Sequence, residues 1–137
     1  MEKQYPTIKN TMVCEDIRSE LYKKLSFIGV YTGDTILTQS MPLTLPKLCV
    51  YQKLVGGQGE FTVALKVQDA EGKEFFTWKH DKVLLIEPSG VIDMCIQIAN
   101  ARFETEGIYK VLTFLDDLEK PRAVFEFQVK KGEVKPL

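Results

Sequence analysis

Apolar and polar residues alternate with a period of two along most of this chain. In Phe61-Thr62-Val63-Ala64-Leu65-Lys66-Val67-Gln68 the odd positions Phe61, Val63, Leu65 and Val67 are apolar. In Ile92-Asp93-Met94-Cys95-Ile96-Gln97-Ile98 the even positions are. In Ala123-Val124-Phe125-Glu126-Phe127-Gln128-Val129, residues Phe125, Phe127 and Val129 point one way and Glu126 and Gln128 the other. Successive side chains of a strand face opposite sides, so each segment reads as a strand with one buried and one wet face.

Further strands are predicted over 7–14, 24–31, 48–55, 75–79 and 107–116. Turn signals separate them. These are Gly33-Asp34, Gly56-Gly57-Gln58-Gly59, Asp69-Ala70-Glu71-Gly72, Glu87-Pro88-Ser89-Gly90 and Asp116-Asp117-Leu118-Glu119-Lys120-Pro121. The best helical spacing falls at 15–24, through Ile17, Leu21 and Lys24, a stretch short enough to be a loop instead. A strand-to-strand spacing of about 10–12 residues, with turns between, predicts an all-β, immunoglobulin-like antiparallel sandwich of about seven to nine strands. One domain spans residues 1–137, with no linker, repeat or low-complexity tract.

Glu106-Gly107-Ile108-Tyr109 carries a further mark of that fold. A tyrosine near the start of the penultimate strand turns its ring inward and returns its hydroxyl to the backbone, and Gly107 relieves crowding at the corner. Antibody domains place a cysteine two residues after that tyrosine; here Val111 stands there, which predicts a sandwich without the disulfide.

Charge excludes more than it suggests. The 18 basic and 19 acidic side chains give a net charge of −1, which supplies no general field for nucleic acid or anionic lipid. Lys130, Lys131 and Lys135 read as a solvated basic end. Cys14, Cys49 and Cys95 are odd in number, widely spaced and set in apolar runs. They predict inert thiols and a cytoplasmic, reducing location. No apolar leader or membrane-length run is present in the sequence.

The order Val13-Cys14-Glu15-Asp16-Ile17-Arg18, then Lys24-Leu25-Ser26-Phe27-Ile28-Gly29-Val30-Tyr31, resembles the opening of a family of small bacterial proteins of unknown function. Leu43-Thr44-Leu45-Pro46-Lys47-Leu48, Gly56-Gly57 and the Gly107-x-Tyr109 ending extend the likeness in the same order. The resemblance implies a bacterial cytoplasmic β-sandwich and brings no activity, ligand or site residue with it.

Catalytic constellations are sparse. His80 is the single histidine and sits among Lys79, Asp81 and Lys82, with no Gly-x-Ser-x-Gly elbow to supply a nucleophile. Gly56–Gly59 lacks the Lys-Ser/Thr and following helix of a phosphate loop and reads as a flexible hairpin loop. Asp116, Asp117 and Glu119 lack calcium-loop spacing and read as a solvated turn. No cofactor and no metal is expected.

Two polar or aromatic groups are candidates for interaction. Glu15, Asp16 and Arg18 interrupt two apolar strands and predict a recognition loop. Phe75, Phe76 and Trp78 lie on one strand, where adjacent Phe75 and Phe76 are expected to face opposite sides, leaving an exposed aromatic. The sequence therefore predicts a non-enzymatic protein-interaction module using Glu15, Asp16, Arg18, Phe75 and Trp78. Its partner is an unidentified protein, and self-association through edge strands stays open. The alternative is a small-ligand or carbohydrate-binding sandwich with Trp78, Tyr31 or Tyr51 as stacking platforms.

Overall fold

The computed structural model describes residues 3–86 and 90–133. Among them run nine strands: β1 (Thr7–Glu20), β2 (Lys24–Val30), β3 (Thr35–Thr38), β4 (Leu43–Val55), β5 (Gly59–Gln68), β6 (Glu74–Leu85), β7 (Val91–Phe103), β8 (Gly107–Leu115) and β9 (Ala123–Lys131). One sheet has the order β2-β1-β4-β7 and the other β3-β9-β8-β5-β6. The chain crosses between sheets from β2 to β3, from β3 to β4, from β4 to β5, from β6 to β7 and from β7 to β8. This is an immunoglobulin-like sandwich. Its pairs are antiparallel except β3 with β9, which run parallel and set Ile36 opposite Val129.

Alternation places the core as the sequence predicts. Phe61, Val63, Leu65 and Val67 of β5 are all buried, as are Met94, Ile96 and Ile98 of β7. Phe103, Tyr109 and Phe127 form the densest knot, with Phe103 edge-on to Tyr109 at 5.1 Å. The Tyr109 hydroxyl donates to the Thr105 carbonyl at 2.7 Å, which is the tyrosine corner. Gly107 has φ +143, and a Cβ there would lie 2.5 Å from the Ala70 Cβ, so only glycine fits the corner.

A buried polar bridge joins the layers. Gln52 Nε2 on β4 donates to the Thr11 hydroxyl on β1 at 3.1 Å, and the Thr113 hydroxyl on β8 donates to Gln52 Oε1 at 2.7 Å. Stripping one partner from such a buried amide costs about 1–3 kcal/mol.

Several expectations change. The 15–24 stretch is neither helix nor loop. β1 continues to Glu20 and turns at Leu21–Lys23 into β2, with Glu20 opposite Lys24. Pairing across the hairpin outweighs the weak helical spacing. The short β3 goes unpredicted because four residues hold too little alternation to read. Gly56–Gly59 is not a flexible hairpin loop. It carries the chain between sheets, Gln4 and Gln58 exchange two backbone hydrogen bonds of 2.8 Å, and Gly57 is buried against Pro6 and Leu85. Asp69–Gly72 is the expected turn, with Gly72 at φ +84 and its amide donating to the Asp69 carbonyl. The expected turn at 87–90 lies outside the described residues except for Gly90, and Lys135 lies outside them too.

The four end strands define two flanks. β6 and β7 end their sheets on one side, and β2 and β3 end them on the other.

Candidate functional site

On the β2 flank, Glu15, Asp16 and Arg18 sit within a strand and not in a loop. Hydrogen bonding of β1 to β4 ends at Cys14↔Cys49, whereas pairing with β2 continues to Glu20↔Lys24. The three residues therefore lie on a two-stranded ribbon. Asp16 is its hub. Lys47 Nζ donates to Oδ1 at 3.0 Å, Arg18 Nε to Oδ2 at 3.3 Å, and the Ile17 amide to Oδ1. The Lys47 bond, reinforced by Arg18, holds the Asp16 carboxyl below its ordinary range. Glu15 has a different task. Gly29 is at φ +65, and its missing Cβ would lie 2.7 Å from the Glu15 carboxyl carbon. The acidic pair and the Ile-Gly-Val strand are thus two halves of one contact.

Beneath this patch lie two thiols. Cys14 and Cys49 are buried, directly opposite each other, and donate to the carbonyls of Asp16 and Glu15. Burial, with the neighbouring Cys49, pushes the Cys14 thiol up to about 11, and burial raises Cys49 as well. Tyr31, which lines the shallow groove of about 480 Å³ beside Glu15 and Lys47, is pushed up to about 12 by burial. Tyr51 is buried, its ring meets Phe27 at 4.8 Å, and its hydroxyl donates to Asp93. It offers no stacking platform.

The opposite flank is built otherwise. Phe75 and Phe76 do not face opposite sides. A register shift between Val67 and Gln68 leaves one extra residue on β6, so both rings pack against the core. Phe75 meets Phe103 at 5.7 Å and Tyr109 at 5.9 Å. It is structural. Trp78 is the accessible aromatic of this strand. It is half-buried, its ring stacks on His80 at 6.1 Å, and both face a groove of about 390 Å³ between β6 and β7. Ile92, Met94 and Ile96 form the β7 wall and Lys82 a lip on the β6 side. Leu84, Ile86 and Val91 are exposed by 59%, 73% and 51% where the two strands converge, which makes a local apolar rim.

The two strands bordering the groove end their sheets differently. β6 carries Lys79-His80-Asp81-Lys82, a register shift, and Lys82 at φ +63, all devices that spoil an edge for pairing. β7 offers thirteen residues, of which 91–99 are regular and hold one charge, Asp93, already engaged by Tyr51. Cys95 and Gln97 are exposed on it. Cys95 is not sequestered as its apolar run suggested, because the odd positions of β7 from 91 to 99 face outward. Burial and Asp93 nonetheless raise its thiol.

Asp116 is a structural knot and not a simple solvated turn. Lys3, Tyr5 and the Thr62 amide donate to it at 2.8, 2.9 and 2.9 Å. Partial burial pushes its carboxyl up, but these bonds together outweigh it and hold the group low. Asp117 caps the Glu119 amide. The described residues contain no cluster of three metal-ligating side chains and no helix long and apolar enough to cross a membrane.

Sequence reasoning missed the β7 edge, because edge status depends on strand order. The run Lys79–Lys82 was its one visible signal, as the guard of the strand across the groove.

The fold and flanks describe a single immunoglobulin-like sandwich of a kind that serves many functions. The chain belongs to DUF6941, a family of unknown function whose model matches residues 9–130. No curated protein matches it. Among solved structures it is similar to the CARDB domain of a Pyrococcus furiosus protein, crystallised in complex with di-metal ions. The identity is 14%, the TM-score 0.43, and the coverage 93% of this chain and 90% of that one.

Proposed function

We propose that this protein is a non-enzymatic interaction module that captures an extended segment of a partner protein along the free edge of β7. One observation carries the reading. β7 is a long, nearly uncharged sheet edge beside an apolar groove, whereas the other three end strands are short, bent or charged. An added strand satisfies the unpaired amides and carbonyls of such an edge, and alternate side chains enter the neighbouring groove. The three free thiols support a reducing, cytoplasmic setting. Of the residues predicted for contact, Trp78 keeps that role, Phe75 supports it from the core, and Glu15, Asp16 and Arg18 stabilise the opposite flank.

The test uses Cys95, the one exposed thiol, as the attachment point for a benzophenone maleimide. Illumination in lysate of the source cells is expected to crosslink one partner through an extended segment. Gln97→Lys with Ala99→Lys should abolish that crosslink without changing the melting temperature. An undiminished crosslink in the double variant would refute edge capture. A second reading, a small-ligand site, is favoured by the groove's size, since small-molecule pockets span about 300–1,000 Å³.

A further inference from the structure

Resting on that reading, we infer that the captured segment is an extended strand with a carboxylate beside an apolar residue on its groove-facing side. The argument is charge complementarity across a groove that is apolar on one wall and cationic on the other. The β7 wall is Ile92, Met94 and Ile96. The β6 wall is Trp78 with His80 stacked on it, then Lys82.

The cations here differ in what holds them. Lys79 pairs with Asp81 at 3.7 Å, and Asp81 also accepts from the Thr62 hydroxyl. Lys82 has no carboxylate partner among the described residues. Among the described residues the groove's single carboxylate is Asp93, which accepts the Tyr51 hydroxyl and lies opposite Lys53 in the β4–β7 register. The inner side of the groove therefore presents one ammonium without a carboxylate partner and one imidazole, while Asp93, which keeps its charge under the Tyr51 hydrogen bond, stands at an outward position of β7.

A guest strand on β7 alternates its side chains between the groove and the outer face. Groove-facing positions meet Trp78, Met94 and Ile96, which suit an aromatic or branched residue, and then Lys82, which suits a glutamate or aspartate. Outward positions lie beside Asp93, Cys95 and Gln97, where a second carboxylate would be repelled. The expected recognition pattern is apolar and acidic residues on one side of the guest, and small neutral ones on the other. A mismatch at Lys82 leaves a cation facing a cation, and that like-charge contact disfavours the wrong guest.

The probe is a set of three fluorescent, terminally blocked nonapeptides. Each has threonine at odd positions, and valine, a variable residue, phenylalanine and valine at the even ones. The variable residue is glutamate, glutamine or lysine. Anisotropy titrations at low salt are expected to rank them in that order, with the glutamate peptide at least about tenfold tighter than the lysine peptide, a difference of about 1.4 kcal/mol. Lys82→Glu should reverse the order, and Gln97→Lys with Ala99→Lys should abolish binding of all three. Equal binding of the three peptides that the double variant still abolishes would overturn the charge preference and leave strand capture standing. Binding that ignores the double variant, or no binding at all, would overturn both. A concentration-dependent dimer by sedimentation, monomeric in the double variant, would make a second copy the occupant and overturn the inference.

Discussion

The two flanks of the sandwich solve the same problem in opposite ways. Each sheet must end somewhere, and a bare end is a template for pairing with another chain. On one flank β3 is four residues long and β2 is bent at Gly29, with Glu15 laid over the bend and Asp16 clasped by Lys47 and Arg18. On the other flank β6 is charged and irregular, but β7 is long, regular and open. Three guarded ends and a fourth left bare beside a groove form the arrangement that the proposed strand capture requires. On the guarded flank the polar residues that looked like a recognition patch in sequence lie against Gly29 and pair with Lys47, and the open flank consists of residues that looked like ordinary strand.

The largest effect is expected where the guarded flank depends on backbone geometry. Gly29→Ala forces a side chain into φ +65 and into the space held by the Glu15 carboxyl. It should cost about 1–2 kcal/mol, the usual penalty for a left-handed L-residue, read as a lower urea midpoint. Glu15→Ala in that background removes the contact but not the strain, and should restore little. Full recovery would mean that the contact alone matters. Binding of the glutamate peptide on the opposite flank should be unchanged throughout.

A smaller effect of opposite sign is expected across the groove. Lys82 adopts φ +63 with an L side chain. Lys82→Gly should raise stability by up to about 1 kcal/mol by relieving that conformation, offset in part by glycine's freedom in the unfolded chain. The same change should weaken the glutamate peptide. Gain of stability with loss of binding would mark Lys82 as a residue kept for recognition. If stability rises and binding holds, Lys82 is only an edge guard.

These contrasts explain what the sequence made legible. Period-two alternation located β5, β7 and β9, because burial on one face imposes it, turn signals helped to bound the other strands that were found, and the Gly107-x-Tyr109 corner was readable because its partners lie within a few residues. The asymmetry of the flanks was not readable. Whether β7 ends a sheet depends on the chain crossing between layers twice around it, and whether Glu15 is a ligand contact or a brace depends on Gly29 across a hairpin. The two phenylalanines at 75 and 76 misled for a related reason. A single register shift reverses the alternation rule at one point, and nothing in Phe75-Phe76-Thr77-Trp78 announces it. Asp116 shows the same limit over a longer range, since its donors Lys3 and Tyr5 lie more than a hundred residues away in the chain.

The smallest effect separates the flanks by pH. Asp16 is held below its ordinary range in the folded protein, first by Lys47 and then by Arg18. A carboxyl depressed on folding contributes stability above its unfolded value of about 3.9, and that contribution is lost as pH falls through the folded value. Asp16→Asn should therefore lower the denaturation midpoint slightly and evenly from about pH 5 to 7, with the difference from wild type shrinking below about pH 4. Capture of the glutamate peptide at neutral pH should not change, because the clasp and the β7 edge belong to opposite ends of their sheet. If Asp16→Asn instead abolishes partner crosslinking while leaving the midpoint alone, the flanks have been assigned the wrong way round. The ribbon of β1 and β2 would then be the recognition surface, and the bare edge of β7 a tolerated end.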